Sequence, residues 1–252
     1  MSLSVIIRSR DEAGRLRLTL ASLSCQTAPC EVVVVDDGSI DHTQAVLAEA
    51  ARALPLVVVR HTAAKGRSAA SNAGARAASG DILLFLDGDT LAGPDLVVRH
   101  LARHAESPGL VGRGETQHLR CTRFLADPET GTPKPGEEAR LARLSETELA
   151  RMRVTRAQVL EDFAAIERRA EPGVYPGAGP RTLYEIEMQA LRQQPDCTVL
   201  WAAASGSNQS TPREAFLDVG GFDERLDLNE HRELALRLCA AGLRMGAVDV
   251  AF

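Results

Sequence analysis

Asp81-Ile82-Leu83-Leu84-Phe85-Leu86-Asp87-Gly88-Asp89-Thr90 is the stretch from which the fold of this chain can be read. An unbroken apolar run of this length fits a strand buried on both faces. It stops at two carboxylates separated by one glycine. In open α/β sheets ligands sit just beyond the carboxyl ends of strands, which places Asp87 and Asp89 where binding chemistry is done. Two hard oxygen donors around a flexible Gly88 suit Mg²⁺ or Mn²⁺ shared with substrate phosphates. Asp and Gly also make ordinary turns, so the rest of the sequence decides between the two readings.

Working outward, strand signals recur at 3–9, 31–36 and 56–60. The segments between them, 12–24, 41–54 and 66–79, are alanine- or leucine-rich with helical spacing. Alternation of this kind is the βαβ pattern of a parallel sheet with right-handed crossovers. Asp41 and Thr43 stand where a helix N-cap is expected, and Pro94-Asp95 opens a further helix to about 106. A short fifth strand is expected at 109–112. From 113 to 196 the composition changes. A proline-rich loop at 127–136 precedes charge-dense helix from about 137 to 170, with Ser145 and Glu148 spaced as a capping box. A second Pro/Gly loop at 171–180 leads into a helix at 182–193. The mixed Arg/Glu faces read as solvated surface, with acceptor binding or dimerisation as the other roles open to such a module. Another strand is expected at 198–204, then Gly220-Gly221-Phe222-Asp223-Glu224 and a helix holding Glu230-His231-Arg232-Glu233-Leu234.

Composition narrows the function classes. In 252 residues, 34 acidic side chains outnumber 29 basic ones, for a net charge of -5; a nucleic-acid partner leaves a basic footprint instead. No apolar stretch approaches the roughly 20 residues of a transmembrane helix. The opening Ser2-Leu3-Ser4-Val5-Ile6-Ile7 runs straight into arginines and reads as a first strand rather than a signal peptide. Five scattered cysteines, odd in number and without paired zinc-ligand spacing, fit reduced thiols in a cytoplasmic protein.

The second strand ends Val35-Asp36-Asp37-Gly38-Ser39, with Asp41 close behind. Two strands of one sheet thus deliver a carboxylate pair each to the same edge. One pair suits a nucleoside, accepting from a base N–H or ribose hydroxyl; the other suits a metal-diphosphate.

On these motifs the chain resembles the family 2 glycosyltransferases of the GT-A fold, over nearly all of its length outside 113–196. Family members open with a strand running into Pro-Thr-x-Asn-Glu, here Arg8-Ser9-Arg10-Asp11-Glu12. The resemblance makes Ser9 and Glu12 neighbours of the nucleobase, with Arg8 in place of the usual Pro and Asp11 in place of Asn. Val35 to Asp41 matches Val-Asp-Asp-Gly-Ser-x-Asp throughout, so Asp36 and Asp37 are implied in nucleotide binding and Asp37 in pairing with the base. The family's Gly-x-x-x-Ala-Arg-Asn-x-Gly helix is represented by Gly66, Ala70, Ser71, Asn72 and Gly74. Serine at 71 removes one cation there, and Lys65 and Arg67 stand nearby to supply diphosphate charge. Leu86-Asp87-Gly88-Asp89 matches Leu-Asp-x-Asp, which implies Asp89 as the direct metal ligand and Asp87 on the ribose or the metal. Gly220 to Glu224 matches a signature preceding the catalytic helix. That helix carries Glu-Asp-x-Glu-Leu in the family; here histidine occupies the base position, so His231 or Glu230 is the implied base. Imidazole, with a pKa near 6.5, suits proton abstraction at neutral pH.

The resemblance implies a doubly wound, mostly parallel α/β sheet flanked by helices, with a helical insertion around 113–196. Residues 1–112 would form the nucleotide-sugar half and 197–252 the acceptor and catalytic half. It implies an inverting, Mg²⁺- or Mn²⁺-dependent transfer from a nucleoside-diphosphate sugar, a UDP-sugar first, to a hydroxyl of a glycan, lipid-linked or small-molecule acceptor. A histidine beyond the last strand often completes the metal site. The chain reaches Phe252 without one, which leaves the metal to Asp89, phosphates and water, or marks a shortened form. Two alternatives remain at this stage. One is a degenerate, binding-only relative. The other is a sugar-nucleotide pyrophosphorylase, against which the single glycine of 7–15 speaks.

Overall fold

The apolar runs bury alternate side chains on opposite faces, and this builds the sheet. The computed structural model describes residues 1–251 apart from 120, 173, 176–178, 181 and 227. Its main strands are β1 (Leu3–Ser9), β2 (Glu31–Asp37), β3 (Leu56–His61), β4 (Ile82–Asp87), β5 (Leu110–Glu115), β6 (Gln209–Pro212) and β7 (Arg244–Ala251). They form one sheet in the order β7-β5-β6-β4-β1-β2-β3. All neighbours are parallel except β6, which runs antiparallel to both β4 and β5.

The helices are α1 (Ala13–Leu23), α2 (Thr43–Ala50), α3 (Arg67–Ala77), α4 (Leu96–Glu106), α5 (Glu138–Leu141), α6 (Glu146–Met152), α7 (Arg156–Glu161), α8 (Phe163–Glu167), α9 (Thr182–Gln193), α10 (Arg213–Asp218) and α11 (Glu230–Ala240). Val5, Ile7, Leu84 and Leu86 pack against α1, α2 and α4. Ile6, Leu83 and Phe85 face the other way, against α3, α9, α10 and α11. Each such fully buried side chain contributes about 1.5–3 kcal/mol. Phe85, Phe216 and Phe222 close the second layer as a ring cluster with centroids 5.2–5.5 Å apart.

The expected elements of the first half are all present, and the structure revises two expectations further on. The charge-dense segment 137–170 is four short helices, because capping side chains interrupt it. Ser145 with Glu148 and Thr155 with Gln158 form capping boxes, and the Asp162 carboxylate accepts from the Ala165 N–H. The strand expected at 198–204 is a 3₁₀ turn, Leu200–Ala203, which buries Leu200 and Ala203 at that helix's period of three. The strand comes later, at β6. The expected loop at 171–180 runs partly outside the described residues, and Phe252 does so wholly.

The insertion lies along α1, where Leu18 and Ala21 pack with Val154, Val159, Phe163 and Ile166. It thereby walls the sheet edge beside Asp87 and Asp89, where β4 ends.

Candidate active site

At the end of β2, Asp36 and Asp37 point in opposite directions, as successive strand residues must. Asp36 is fully buried. Its carboxylate accepts from the Ser39 N–H at 2.8 Å and from the Gln44 side-chain amide, and so shapes the turn behind the site. Asp37 accepts from the backbone N–H groups of Lys65 (2.8 Å) and Gly66 (2.9 Å) and lies 2.6 Å from His61 Nδ1. Burial alone would raise the Asp37 carboxyl, but those three partners outweigh it and hold the group below its ordinary value. A carboxylate has about four acceptor positions; three are taken, so one remains for a ligand donor. Gly66 sits at φ +94°, a conformation that L side chains rarely adopt, and this aims its N–H at Asp37.

The β1 end runs into a loop stitched to the 38–41 turn. The Asp11 N–H donates to Ser39 Oγ, and Asp11 Oδ1 accepts from the Ile40 N–H. Glu12 then lies directly on Gly88: a Cβ at Gly88 would come within 2.3 Å of Glu12 Oε1, so any larger residue there would displace the Glu12 carboxylate. Burial, then the Asp89 and Asp87 charges, push the Glu12 carboxyl up to about 7, with the Ser9 hydroxyl opposing.

Asp87 and Asp89 each carry an arginine. Asp87 Oδ1 is 2.7 Å from Arg8 Nη2, and Asp89 Oδ2 is 2.8 Å from Arg15 Nη1. Arg15, on α1, also donates to the Leu125 and Arg123 carbonyls of the insertion. Lys134 lies close enough to Arg15, Asp89 and Glu12 to feel their charges; burial and Arg15 lower its ammonium pKa. The pairings leave one oxygen on each aspartate. Among the described residues no three His, Cys, Asp or Glu side chains converge as a closed metal cage. This donor set fits Mg²⁺ or Mn²⁺, which keep waters and take phosphate oxygens as further ligands.

Helix α11 begins beside these groups. Glu230 is 3% exposed, with Oε1 4.0 Å from Arg8 Nη1 and Oε2 3.8 Å from His231 Nδ1. Burial would raise the Glu230 carboxyl; the His231 ring, the helix-start N–H and Arg8 together hold it below the ordinary carboxylate range. The His231 Nδ1 is buried, and 3.8 Å to Glu230 is beyond hydrogen-bond reach. Ser207 Oγ accepts from the Asp87 N–H at 3.2 Å, and Gly206 lies over both His231 and Arg8.

The structure thus gathers Ser9, Glu12, Asp37, Gly66, Asp87, Gly88, Asp89, Glu230 and His231 at one sheet edge. Lys65 and Arg67 are exposed at its rim, and Arg67 acts on the Asp87 charge. Asn72 is placed differently. Its amide donates to the Phe222 carbonyl and Glu224 and accepts from the Phe222 N–H, pinning the Gly220–Glu224 turn to α3. Sequence reasoning missed Arg8, Arg15 and His61. A lone arginine between Ile7 and Ser9 at a buried strand end was the available signal for Arg8; Arg15, one helical turn after Glu12, was that for the second.

A cavity of about 430 Å³ opens between Asp87, Asp89 and the insertion, walled by Leu18, Leu91, Leu119 and Val154.

The model of glycosyl transferase family 2 matches residues 4–155, which is more than half of the chain. The chain belongs to that family. The match covers the motifs from Arg8 to Asp89 and stops short of Glu230 and His231. Among relatives of this family 2 chain, the validoxylamine A glucosyltransferase of Streptomyces hygroscopicus subsp. jinggangensis is 33% identical over 250 residues, 96% of this chain and 52% of the relative. The uncharacterized glycosyltransferase YfnE of Bacillus subtilis is 38% identical over 113 residues, 44% of this chain and 29% of the relative. The chain therefore spans about half, or less, of the curated relatives it matches. Among solved structures, S. aureus TarS shares the fold at a TM-score of 0.66 and 17% identity, over 99% of this chain and 35% of TarS. The mannosyltransferase PcManGT of Pyrobaculum calidifontis, solved with GDP-Man and Mn²⁺, does so at 0.63 and 20%, over 99% of this chain and 55% of that one.

Proposed function

We propose that this protein transfers a sugar, with inversion, from a nucleoside-diphosphate sugar to an acceptor hydroxyl, and that the donor is a UDP-sugar. The observation that carries the reading is the convergence of Asp37, the Asp87/Asp89 pair and the Glu230-His231 helix start on one sheet edge. Asp37 has one acceptor position left for a base N–H. Asp87 and Asp89 would hold Mg²⁺ or Mn²⁺, which neutralises charge on the departing diphosphate. Lys65 and Arg67 at the rim add positive charge for the same group.

On the opposite side, His231 takes the acceptor proton. Its Nδ1 is buried beside Glu230, so Nε2 is the nitrogen left for the hydroxyl. The oxygen attacks the anomeric carbon, the bond to the diphosphate oxygen breaks, and the proton rests on the imidazole. Glu230, kept ionised by the His231 ring, the helix-start N–H and Arg8 together, stabilises that imidazolium. The cavity beside Asp89 and the insertion 113–196 receive the acceptor, within a molecule whose described helices include none long and apolar enough to cross a membrane.

Incubation with UDP-, GDP- and TDP-sugars plus Mn²⁺, followed by assay of nucleoside diphosphate release, tests the reading. Release from one donor, even by slow hydrolysis, supports an enzyme. Saturable nucleotide binding with no release from any of the three favours a binding-only relative. Activity unchanged by EDTA removes the metal from the proposal.

A further inference from the structure

Arg8 occupies an unusual place for a charged residue. It lies at the end of β1 between the fully buried Ile7 and Ser9, and its side chain is 12% exposed. In the parallel register Arg8 stands directly opposite Asp87, which puts both side chains on one face of the sheet. The guanidinium reaches three elements at once: Asp87 on β4 at 2.7 Å, Ser71 Oγ on α3 at 3.4 Å, and Glu230 on α11 at 4.0 Å. Two carboxylates near one another in a partly buried site repel unless a cation lies between them. A planar guanidinium does this with fixed geometry, which a lysine ammonium cannot reproduce. Ser71 adds a second observation. It is a small, buried hydroxyl on α3 that accepts from Arg8, so a longer side chain entering from 71 meets the space the Arg8 guanidinium fills.

We propose that Arg8 is the positioning residue of the site: its guanidinium, reaching from β1 to β4, α3 and α11, holds Asp87 and Glu230 in register. The proposal deepens the transfer reading and rests on it only for the role given to Glu230. It commits to an exchange: an arginine entering at 71 takes over when Arg8 is removed.

The experiment compares wild type, Arg8→Met, Arg8→Lys and Arg8→Met/Ser71→Arg. Two quantities are read: melting temperature, and the Kd of whichever of UDP, GDP or TDP wild type binds tightest with Mn²⁺. Methionine fills the same space without charge, so Arg8→Met should weaken nucleotide binding by about tenfold or more. Arg8→Lys should recover only part of this, and the double variant should recover most of it together with the melting temperature. A folded Arg8→Met whose Kd stays within threefold of wild type overturns the proposal, since Arg8 then only packs. A double variant no better than Arg8→Met overturns the exchange. If Arg8→Met does not fold, a double variant that folds and binds supports the proposal, and one that also fails to fold overturns it. Absence of donor turnover by wild type would end the transfer reading while leaving these binding and melting results to stand.

Discussion

Between α4 and β6 one serine hydroxyl has a single proton to give, and this fixes the tautomers of two buried histidines. Asn208 Nδ2 donates to the Glu115 carbonyl, so its Oδ1 is the acceptor for His100 Nε2–H at 2.8 Å. His100 Nδ1 then accepts from Ser210 Oγ–H, and Ser210 Oγ accepts from His104 Nε2–H, each at 2.8 Å. Both rings are neutral. Burial pushes each down to about 4, Asn208 partly opposing at His100 and Arg103 adding to the fall at His104. Between pH 6.5 and 4 these two histidines bind protons in the unfolded chain that the folded one refuses, so their contribution to stability is complete above pH 6.5 and is lost as pH falls. The slope is about 1.4 kcal/mol per pH unit for each titrating histidine. Glu12, raised to about 7, takes up a proton on folding in the same window and offsets about one histidine, so the test is the difference: urea midpoints at pH 7, 6 and 5 should fall more steeply for wild type than for His104→Gln by about one histidine's slope, and equal slopes would contradict the assignment. At the site itself, His231→Ala should lower the transfer rate by about 10² or more, typical for loss of a general base. Glu230→Gln should cost less, and His231→Asp should retain activity with the acidic limb of the pH–rate profile moved down. A dead Glu230→Gln beside a nearly normal His231→Ala would make Glu230 the base.

Helix α9 shows how elements are bound across the sheet. Glu187 accepts from Arg113 of β5 at 2.9 Å and from Arg232 of α11 at 2.8 Å, with its side chain only 15% exposed. Glu187 is the carboxylate shared by two guanidiniums, so Glu187→Ala should destabilise by about 3 kcal/mol by urea unfolding. Arg113→Met with Glu187→Met should recover part of that loss. None of this was legible from residue order, since Arg113, Glu187 and Arg232 lie in three separate segments. The sheet was legible where strands are apolar and local: β1 to β4 and the helices between them follow from alternation and turn chemistry. Strand β6 was not, because Gln209-Ser210-Thr211-Pro212 has no apolar pattern. It is a strand because β4 and β5 satisfy its backbone and two histidines satisfy Ser210. The site divides in the same way. Asp37, Asp87 and Asp89 declare themselves at strand ends, whereas the arginines that pair with Asp87 and Asp89 required the register of β1 and the approach of the insertion.

On the scale of the molecule, the insertion touches the site through Arg15. That side chain binds Asp89 on one edge and the Arg123 and Leu125 carbonyls on the other. If the neighbouring cavity receives the acceptor, Leu119→Arg should block it: transfer to added acceptors should fall at least tenfold while donor hydrolysis and nucleotide affinity stay near wild type. Equal loss of both would assign the cavity to the donor. The antiparallel strand β6 has a consequence for how the chain is made. Phe85 of β4 pairs with Gln209, so the most apolar strand of the sheet waits for a partner that leaves the ribosome roughly 120 residues later, about 6–24 s at ordinary synthesis rates. Throughout that interval β4 offers an unpaired edge of the kind that recruits other chains. Until its late strand arrives, the nascent chain keeps that edge open, and conditions that slow elongation between 90 and 209 should lower its soluble yield before they alter any property of the folded protein.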